Sequence, residues 1–586
     1  MRLPTIFSYM FPFLLILSML TPFTIVSSLN VYPIRIEKIY LAAVTSNNTG
    51  IVIPVTIKVF PGNGNVQIVD PGGKVSTSTI LSIKYALSLA SIMTGREKSS
   101  YNYEIIFPKD TEISGTSATL PFTLVFAAIL TNTPIPEDFS ATGILMPNTI
   151  VGNVSGIDLK YEATFTRNIQ LFLGPYIEKI PGTNYISVVT AYDAYDTITK
   201  TKLLGSTQEI IVPRTINYQS FFVNATKEFL NLTRNILFLF PAGYASEALK
   251  FYKLSEKYSN KGDWYTAASY GFRSYIDALS AYAIYLEERA PTKYKELLVR
   301  VEKWYEGNYT QAINDLNRLG NYTYRHLNLW NIDIYVNTFI RYSIAEDAYQ
   351  SYKATDSPLQ IVLALARIIT AEQWASIPLM EKKMISYDTL LSAYKTLYAF
   401  TNITINYFAS MKYISNQAIN VLSAINHINN DLIKLAKLAY IQYLLTSDLL
   451  SLQPPVFSPY LTPEYIVELN RTVSRIANYL LYKSGTPILS ALTTVDVGRT
   501  YAVEMENLTT IDGLLISELT LLTMYKALYM VPVYSCILCS GQTTYLPQGS
   551  GATSPLVSQM ISYIIAVILI SLGAFLAGFS IKKYYG

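Results

Sequence analysis

The chain has 586 residues, half of them hydrophobic and 15% charged, with a net charge of +4 and 48 tyrosines. That length accommodates two to four domains with full cores. The thin, balanced charge excludes a nucleic-acid surface built on basic residues. Polar character carried by Ser, Thr, Asn and Tyr suits an extracellular surface.

Residues 1–28 read as a secretory signal peptide, with an early Arg2, an apolar run, and small side chains at Val26 and Ser28 before the cleavage point. From 31 to 205 the pattern is α+β. "GIVIPVTIKVFP" (50–61) and "GNVQIVD" (64–70) are β-rich and joined by Gly-Asn-Gly, which predicts a hairpin. "VSTSTILSIKYALSLASIMTG" (75–95) has helical spacing and a C-cap glycine, Gly95. A strand over 103–108, a helix opening near Ser117, and strands in "IQLFL" (169–173) and "ISVVT" (186–190) complete this part.

Residues 215–530 form an all-α domain of long amphipathic helices. The stretch 244–288 gives two helices broken at Lys261-Gly262-Asp263, and "GNYTQAINDLNRL" (307–319) repeats the Gly-x-aromatic-x-x-Ala start. This resembles a tetratricopeptide helix pair, although no steady 34-residue period is present. Residues 531–559 read as a Gly/Ser/Thr/Pro-rich stalk. The uncharged apolar run at 560–581 is long enough to span a bilayer, and Lys582 and Lys583 mark the short tail 582–586 as cytoplasmic. A single-pass membrane protein with its bulk outside the cytoplasm is expected. Nine Asn-x-Ser/Thr sequons, among them Asn153, Asn224, Asn231, Asn308 and Asn507, permit glycosylation there.

Cys536 and Cys539 are the only cysteines. A Cys-x-x-Cys pair serves redox chemistry, half a zinc site, or a local disulfide. With no second pair, and with His326 and His427 remote in helical patterns, the disulfide is the expectation; no metal and no cofactor are expected.

"SGTSATL" (114–120) gathers small residues round Ser117 where a strand gives way to a helix. A serine hydroxyl needs a base to become a nucleophile. Residues 31–205 contain no histidine, which excludes a Ser-His-Asp triad there. A lysine can serve if burial lowers its pKa. Lys160 lies among Val154, Ile157 and Leu159, in a segment made compact by Gly152 and Gly156.

The order of these pieces resembles the proteolytic domain of Lon-type proteases, particularly membrane-bound archaeal relatives that lack the ATPase module. Gly115-Thr116-Ser117-Ala118-Thr119 is similar to the family's nucleophile motif, and Thr142-Gly143 to its Thr-Gly. Gly152-Asn153-Val154-Ser155-Gly156-Ile157-Asp158-Leu159-Lys160 looks like its lysine-bearing stretch, and "PGNGNVQIV" (61–69) like its hairpin. Thr116, Thr119, Ser155 and Leu159 depart from the family's Pro, Gly, Gly and Glu. The likeness covers about 170 residues. It implies Ser117 as nucleophile, Lys160 as general base, Thr142 orienting the lysine, and backbone N–H groups of Thr116 and Ser117 as the oxyanion hole. It also implies peptide-bond hydrolysis and oligomeric rings. "PGGKVSTS" (71–78) is no phosphate-binding loop, so cleavage of unfolded or exposed polypeptide would be ATP-independent. The competing expectation is an inactive Lon-like domain in a cell-surface scaffold whose helices bind partners.

Overall fold

The computed structural model describes residues 32–109, 112–177, 184–205, 217–414, 416–450, 463–506, 527 and 529–540. The signal peptide, the apolar run at 560–581, the tail, and residues 541–559 of the expected stalk lie outside the described residues. Among the described residues, no helix is long and apolar enough to cross a membrane.

The chain begins as a mixed α/β sheet and continues as a largely helical region. The sheet strands are β1 (Arg35–Val44), β2 (Gly50–Pro61), β3 (Val66–Val69), β4 (Tyr101–Ile106), β5 (Phe139–Ala141), β8 (Leu171–Pro175) and β9 (Tyr185–Val188), in the order β3-β4-β2-β1-β5-β8-β9. β6 (Ile144–Leu145) and β7 (Val151–Gly152) form a separate antiparallel ribbon. Period-two burial of Ile53, Val55, Ile57 and Val59 shows why β2 is central: alternate side chains enter one core.

The predicted β2–β3 hairpin does not form. β4 lies between them, antiparallel to β2 and parallel to β3. The Gly-Asn-Gly segment instead crosses the start of β4. There Asn102 Oδ1 accepts from Asn63 N and Asn65 N, both at 3.0 Å, and Gly64 N donates to Tyr101 O at 2.8 Å. An asparagine on the inserted strand thus satisfies amides that a tight turn would have paired internally.

Helices α1 (Thr77–Thr94) and α2 (Thr119–Thr131) pack on one face of the sheet. α1 is capped by Ser76 and ends at Gly95, whose φ of 66° is the left-handed conformation foreseen for it. In α2 every residue from Thr119 to Leu130 is buried, as expected of a helix apolar on all sides. α3 (Ile157–Thr166) covers the opposite face, where Ile157 meets Ala42 and Phe172. α4 (Ala191–Thr199) opens with a reciprocal cap between Thr190 and Asp193.

The helical region comprises α5 (Val223–Leu237), α6 (Ser246–Asn260), α7 (Trp264–Arg289), α8 (Pro291–Arg325), α9 (Leu329–Thr355), α10 (Pro358–Ala375), α11 (Tyr387–Ser410), α12 (Asn416–Ala424), α13 (Asp431–Leu450), α14 (Pro463–Ser484) and α15 (Leu489–Glu506). The break at 261–263 is as predicted: Gly262 has φ 77° and Asp263 caps α7. The second expected start, at Gly307, is absent. Gly307 sits inside the 35-residue α8, and the next helix begins only where Asn328 caps α9. Asn308 does not act as a cap here, and a lone glycine costs a helix interior only about 1 kcal/mol, so α8 runs on through it.

One hydrophobic core runs through both parts. Tyr85 of α1 stacks on Tyr407 of α11 with ring centroids 4.6 Å apart. Arg475 of α14 bridges to Asp193 (3.1 Å) and Asp196 (2.6 Å) of α4.

The expected stalk is corrected in its first part: residues 529–540 are helical, with Tyr529, Val531, Val533 and Tyr534 buried. Tyr534 O–H donates to the buried Asp333 carboxylate, and Tyr529 O–H to Asn337 Oδ1 at 3.0 Å. The expected disulfide is corrected too. Cys536 and Cys539 are free thiols, one turn apart on this helix. Burial pushes the Cys539 thiol up to about 11 and raises the Cys536 thiol well above its ordinary value too, away from the reactive thiolate form.

Candidate active site

The turn that carries Ser117 is fixed at both ends. Upstream, Ile113 exchanges backbone hydrogen bonds with the Lys74–Ser76 segment: its N–H donates to Lys74 O at 3.1 Å, and its carbonyl accepts from Ser76 N at 2.9 Å. Gly115 then takes φ 116°, a conformation that disfavours any side chain although the space beside it is open. Downstream, Thr116 O accepts from Thr119 N (3.1 Å) and Thr119 Oγ1 (2.6 Å), closing the turn onto α2.

Thr142-Gly143 lies directly against this turn. Gly143 N donates to Ser117 O at 2.9 Å, and Leu120 N donates to Gly143 O at 3.1 Å. A methyl group on Gly143 would come within 2.7 Å of Val151, so this close approach requires glycine. Thr142 N is itself anchored on Leu173 O of β8 at 2.9 Å.

Lys160 arrives from the other face of the sheet. A Cβ on Gly50 would stand 1.9 Å from Leu159 O, so the bare backbone of β2 is what lets α3 settle this deeply. Gly156, at φ 65°, opens α3 under Val44. Lys160 is then 4% exposed, and its Nζ donates to Thr142 Oγ1 at 3.3 Å. Burial alone brings its ammonium pKa down to about 8.

The structure therefore links Lys160 to Thr142 by a side-chain hydrogen bond, and Ser117 to the adjacent Gly143 by a backbone one. It does not join Ser117 and Lys160 directly: among the described residues, the Ser117 hydroxyl has no hydrogen-bond partner. The N–H groups of Thr116, Ser117 and Ala118 likewise donate to none of the described residues. Ala118 gives α2 no side-chain cap. A half-buried hydroxyl beside uncommitted amides at a helix start is an arrangement able to receive an oxyanion.

A second Ser–Lys pair sharpens the contrast. Lys98 Nζ donates to Ser88 Oγ at 2.8 Å, a shorter bond than Lys160 makes. Yet Ser88 is 3% exposed within α1, and its hydroxyl proton is committed to Lys84 O at 3.1 Å. It has neither substrate access nor free amides.

Two features escaped sequence reasoning. Tyr407 O–H reaches Thr119 Oγ1 (2.7 Å) and Thr116 O (3.5 Å) from α11, bracing the Ser117 turn from the helical region. No local pattern marks a residue that acts across nearly 290 positions. Thr149, a β-branched residue at φ 77°, closes the β6–β7 ribbon with its hydroxyl buried and unpartnered among the described residues. Asn153 is only half-buried, and its Oδ1 accepts from Val154 N at 3.0 Å. No protein-family model matches the chain, and no curated protein matches it.

Proposed function

We propose that this chain is a membrane-anchored, extracytoplasmic serine endopeptidase of Lon type that cleaves unfolded or exposed polypeptide without ATP. The observation that carries the reading is Lys160: a lysine buried without a carboxylate partner among the described residues, its pKa near 8, held on the threonine next to the serine's own backbone contact. Ser117 attacks the scissile carbonyl once Lys160, as neutral amine, takes its proton. The dyad requires the Ser117 hydroxyl to meet Lys160 Nζ, and such contacts commonly tighten only with substrate bound. The N–H groups of Thr116 and Ser117 stabilise the developing oxyanion. Lys160 then returns the proton to the leaving amine, and water repeats the cycle on the acyl-enzyme. The C-terminal apolar run anchors the chain, and ring assembly follows from the family likeness alone.

The test is cleavage of a permanently unfolded protein by the full chain in lipid nanodiscs without ATP. Ser117→Ala and Lys160→Met each lower the rate at least roughly 1,000-fold. The parent rate rises with pH through about 8, as the base loses its proton. A folded but inert parent, or variants as active as the parent, would sink this reading. The second reading is a Lon-like domain retained as part of a binding scaffold. It is favoured by the missing direct hydrogen bond between Ser117 and Lys160, and it predicts that parent and variants are equally inert.

A further inference from the structure

Lined by none of the residues around Ser117, a half-open cavity of about 570 Å³ lies between α5, α7, α9, α10 and α13 of the helical region. Its size falls within the range of small-molecule sites, about 300–1,000 Å³. Phe229, Phe272 and Trp374 supply much of its wall. The charged side chains on that wall are Arg273, Arg341 and Arg367, with no carboxylate among the lining residues.

These arginines are pre-positioned rather than splayed. The Arg341 guanidinium lies 4.1 Å from the centre of the Trp374 ring, and Arg367 lies 4.6 Å from that of Phe272. Arg341 Nη1 donates to Asn337 O at 2.9 Å and to Asn337 Oδ1 at 3.1 Å. Arg273 is paired with Asp277 at 2.9 Å. Asp333 is committed to Ser490, Asn337 and Tyr534, and Glu228 accepts from Gln373. Arg341 is 8% exposed, so a cation is held out of water without a carboxylate bonded to it. A buried charge of this kind is costly until an anion joins it. Flat guanidinium groups on aromatic faces suit a planar carboxylate, and the remaining wall suits an apolar body.

We propose that this cavity binds a small carboxylate carrying an apolar body, head group toward Arg341 and Arg367 and body against Phe229 and Phe272. With Arg273 neutralised by Asp277, and with Asp333 close enough to Arg341 to feel its charge, the cavity favours a monoanion over a dianion.

The experiment uses the full chain in nanodiscs. Fluorescence of Trp374 is followed, with Trp374→Phe identifying the signal. The probes are 4-phenylbutyrate and octanoate against 4-phenylbutanol and octanol, which share the bodies and lack the charge. At least one carboxylate saturates with a dissociation constant about tenfold or more below that of its alcohol. Arg341→Met and Arg367→Met each reduce that preference about fivefold or more, with the far-ultraviolet circular dichroism unchanged. Ala268→Phe, which fills the cavity, removes saturable binding of both probe classes. Should an arginine variant fail to fold, the parent comparison and Ala268→Phe still decide. Alcohols that bind as tightly as the carboxylates, no saturation by either carboxylate up to roughly 10 mM, or unchanged preference in folded arginine variants overturns the proposal.

Discussion

Replacing Lys160 by Met removes the proposed base and leaves the shape, and the structure assigns the change an unusual stability signature. The folded-state pKa of about 8 lies below the ordinary 10.5. At about 1.4 kcal/mol for each pH unit, keeping the ammonium form buried costs about 3 kcal/mol. Between those two pH values the unfolded chain binds the extra proton, so stability rises with pH across the window. Below about 8 the full cost stands. Methionine escapes it and gives up the 3.3 Å hydrogen bond to Thr142, a loss of about 1 kcal/mol. Lys160→Met is therefore more stable than the parent by about 2 kcal/mol at pH 7 and less stable by about 1 kcal/mol near pH 10.5. Equilibrium urea unfolding of both proteins at the two pH values, by circular dichroism, measures this directly. The comparison cancels other groups that titrate in the same range. A difference of one sign and size at both pH values refutes the desolvation argument, whatever the activity does.

Three further outcomes follow from the packing. Tyr407→Phe loses the hydrogen bond to Thr119 and, with stacking on Tyr85 retained, costs about 1 kcal/mol in urea unfolding and, on the proposed function, about tenfold in peptidase rate; an unchanged rate would show that the Ser117 turn needs no brace. Gly50→Ala drives a methyl into Leu159 O and displaces α3, costing roughly 2 kcal/mol or more and moving the pH–rate midpoint toward that of an exposed lysine; a wild-type midpoint argues against α3 depth as the cause of the shift. Asp333→Ala strands the buried donors of Ser490, Asn337 and Tyr534, and lowers stability by about 3 kcal/mol or more by the same measurement.

Much of the secondary structure was legible because it is local. Alternation marked β2, Gly95 marked the end of α1, and Gly262-Asp263 marked the break before α7. The β2–β3 hairpin failed because a Gly-Asn-Gly segment states only that the chain turns; which strand fills the space depends on Asn102, almost forty residues on. Gly307 misled for the opposite reason, since a single glycine without a cap costs a helix only about 1 kcal/mol, too little to end a long one. At the candidate site, Ser117 and Lys160 were singled out by type and order and Thr142 by the family likeness. Their burial and hydrogen bonds were not, and neither was Gly50, whose missing side chain decides how deep Lys160 lies. The Cys-x-x-Cys motif was read from composition, whereas the apolar face of residues 529–540 determined its surroundings.

The bond from Tyr407 to the Ser117 turn has a consequence for the timing of synthesis. A ribosome making this chain completes Ser117, Thr142 and Lys160 long before Tyr407 emerges. Until α11 docks on α1, the turn lacks the hydroxyl that braces Thr116 and Thr119. The chain's own helical region is thus still unfolded while the Ser117 turn is unbraced. On the peptidase reading proposed above, self-cleavage during synthesis is disfavoured by the order in which the parts appear.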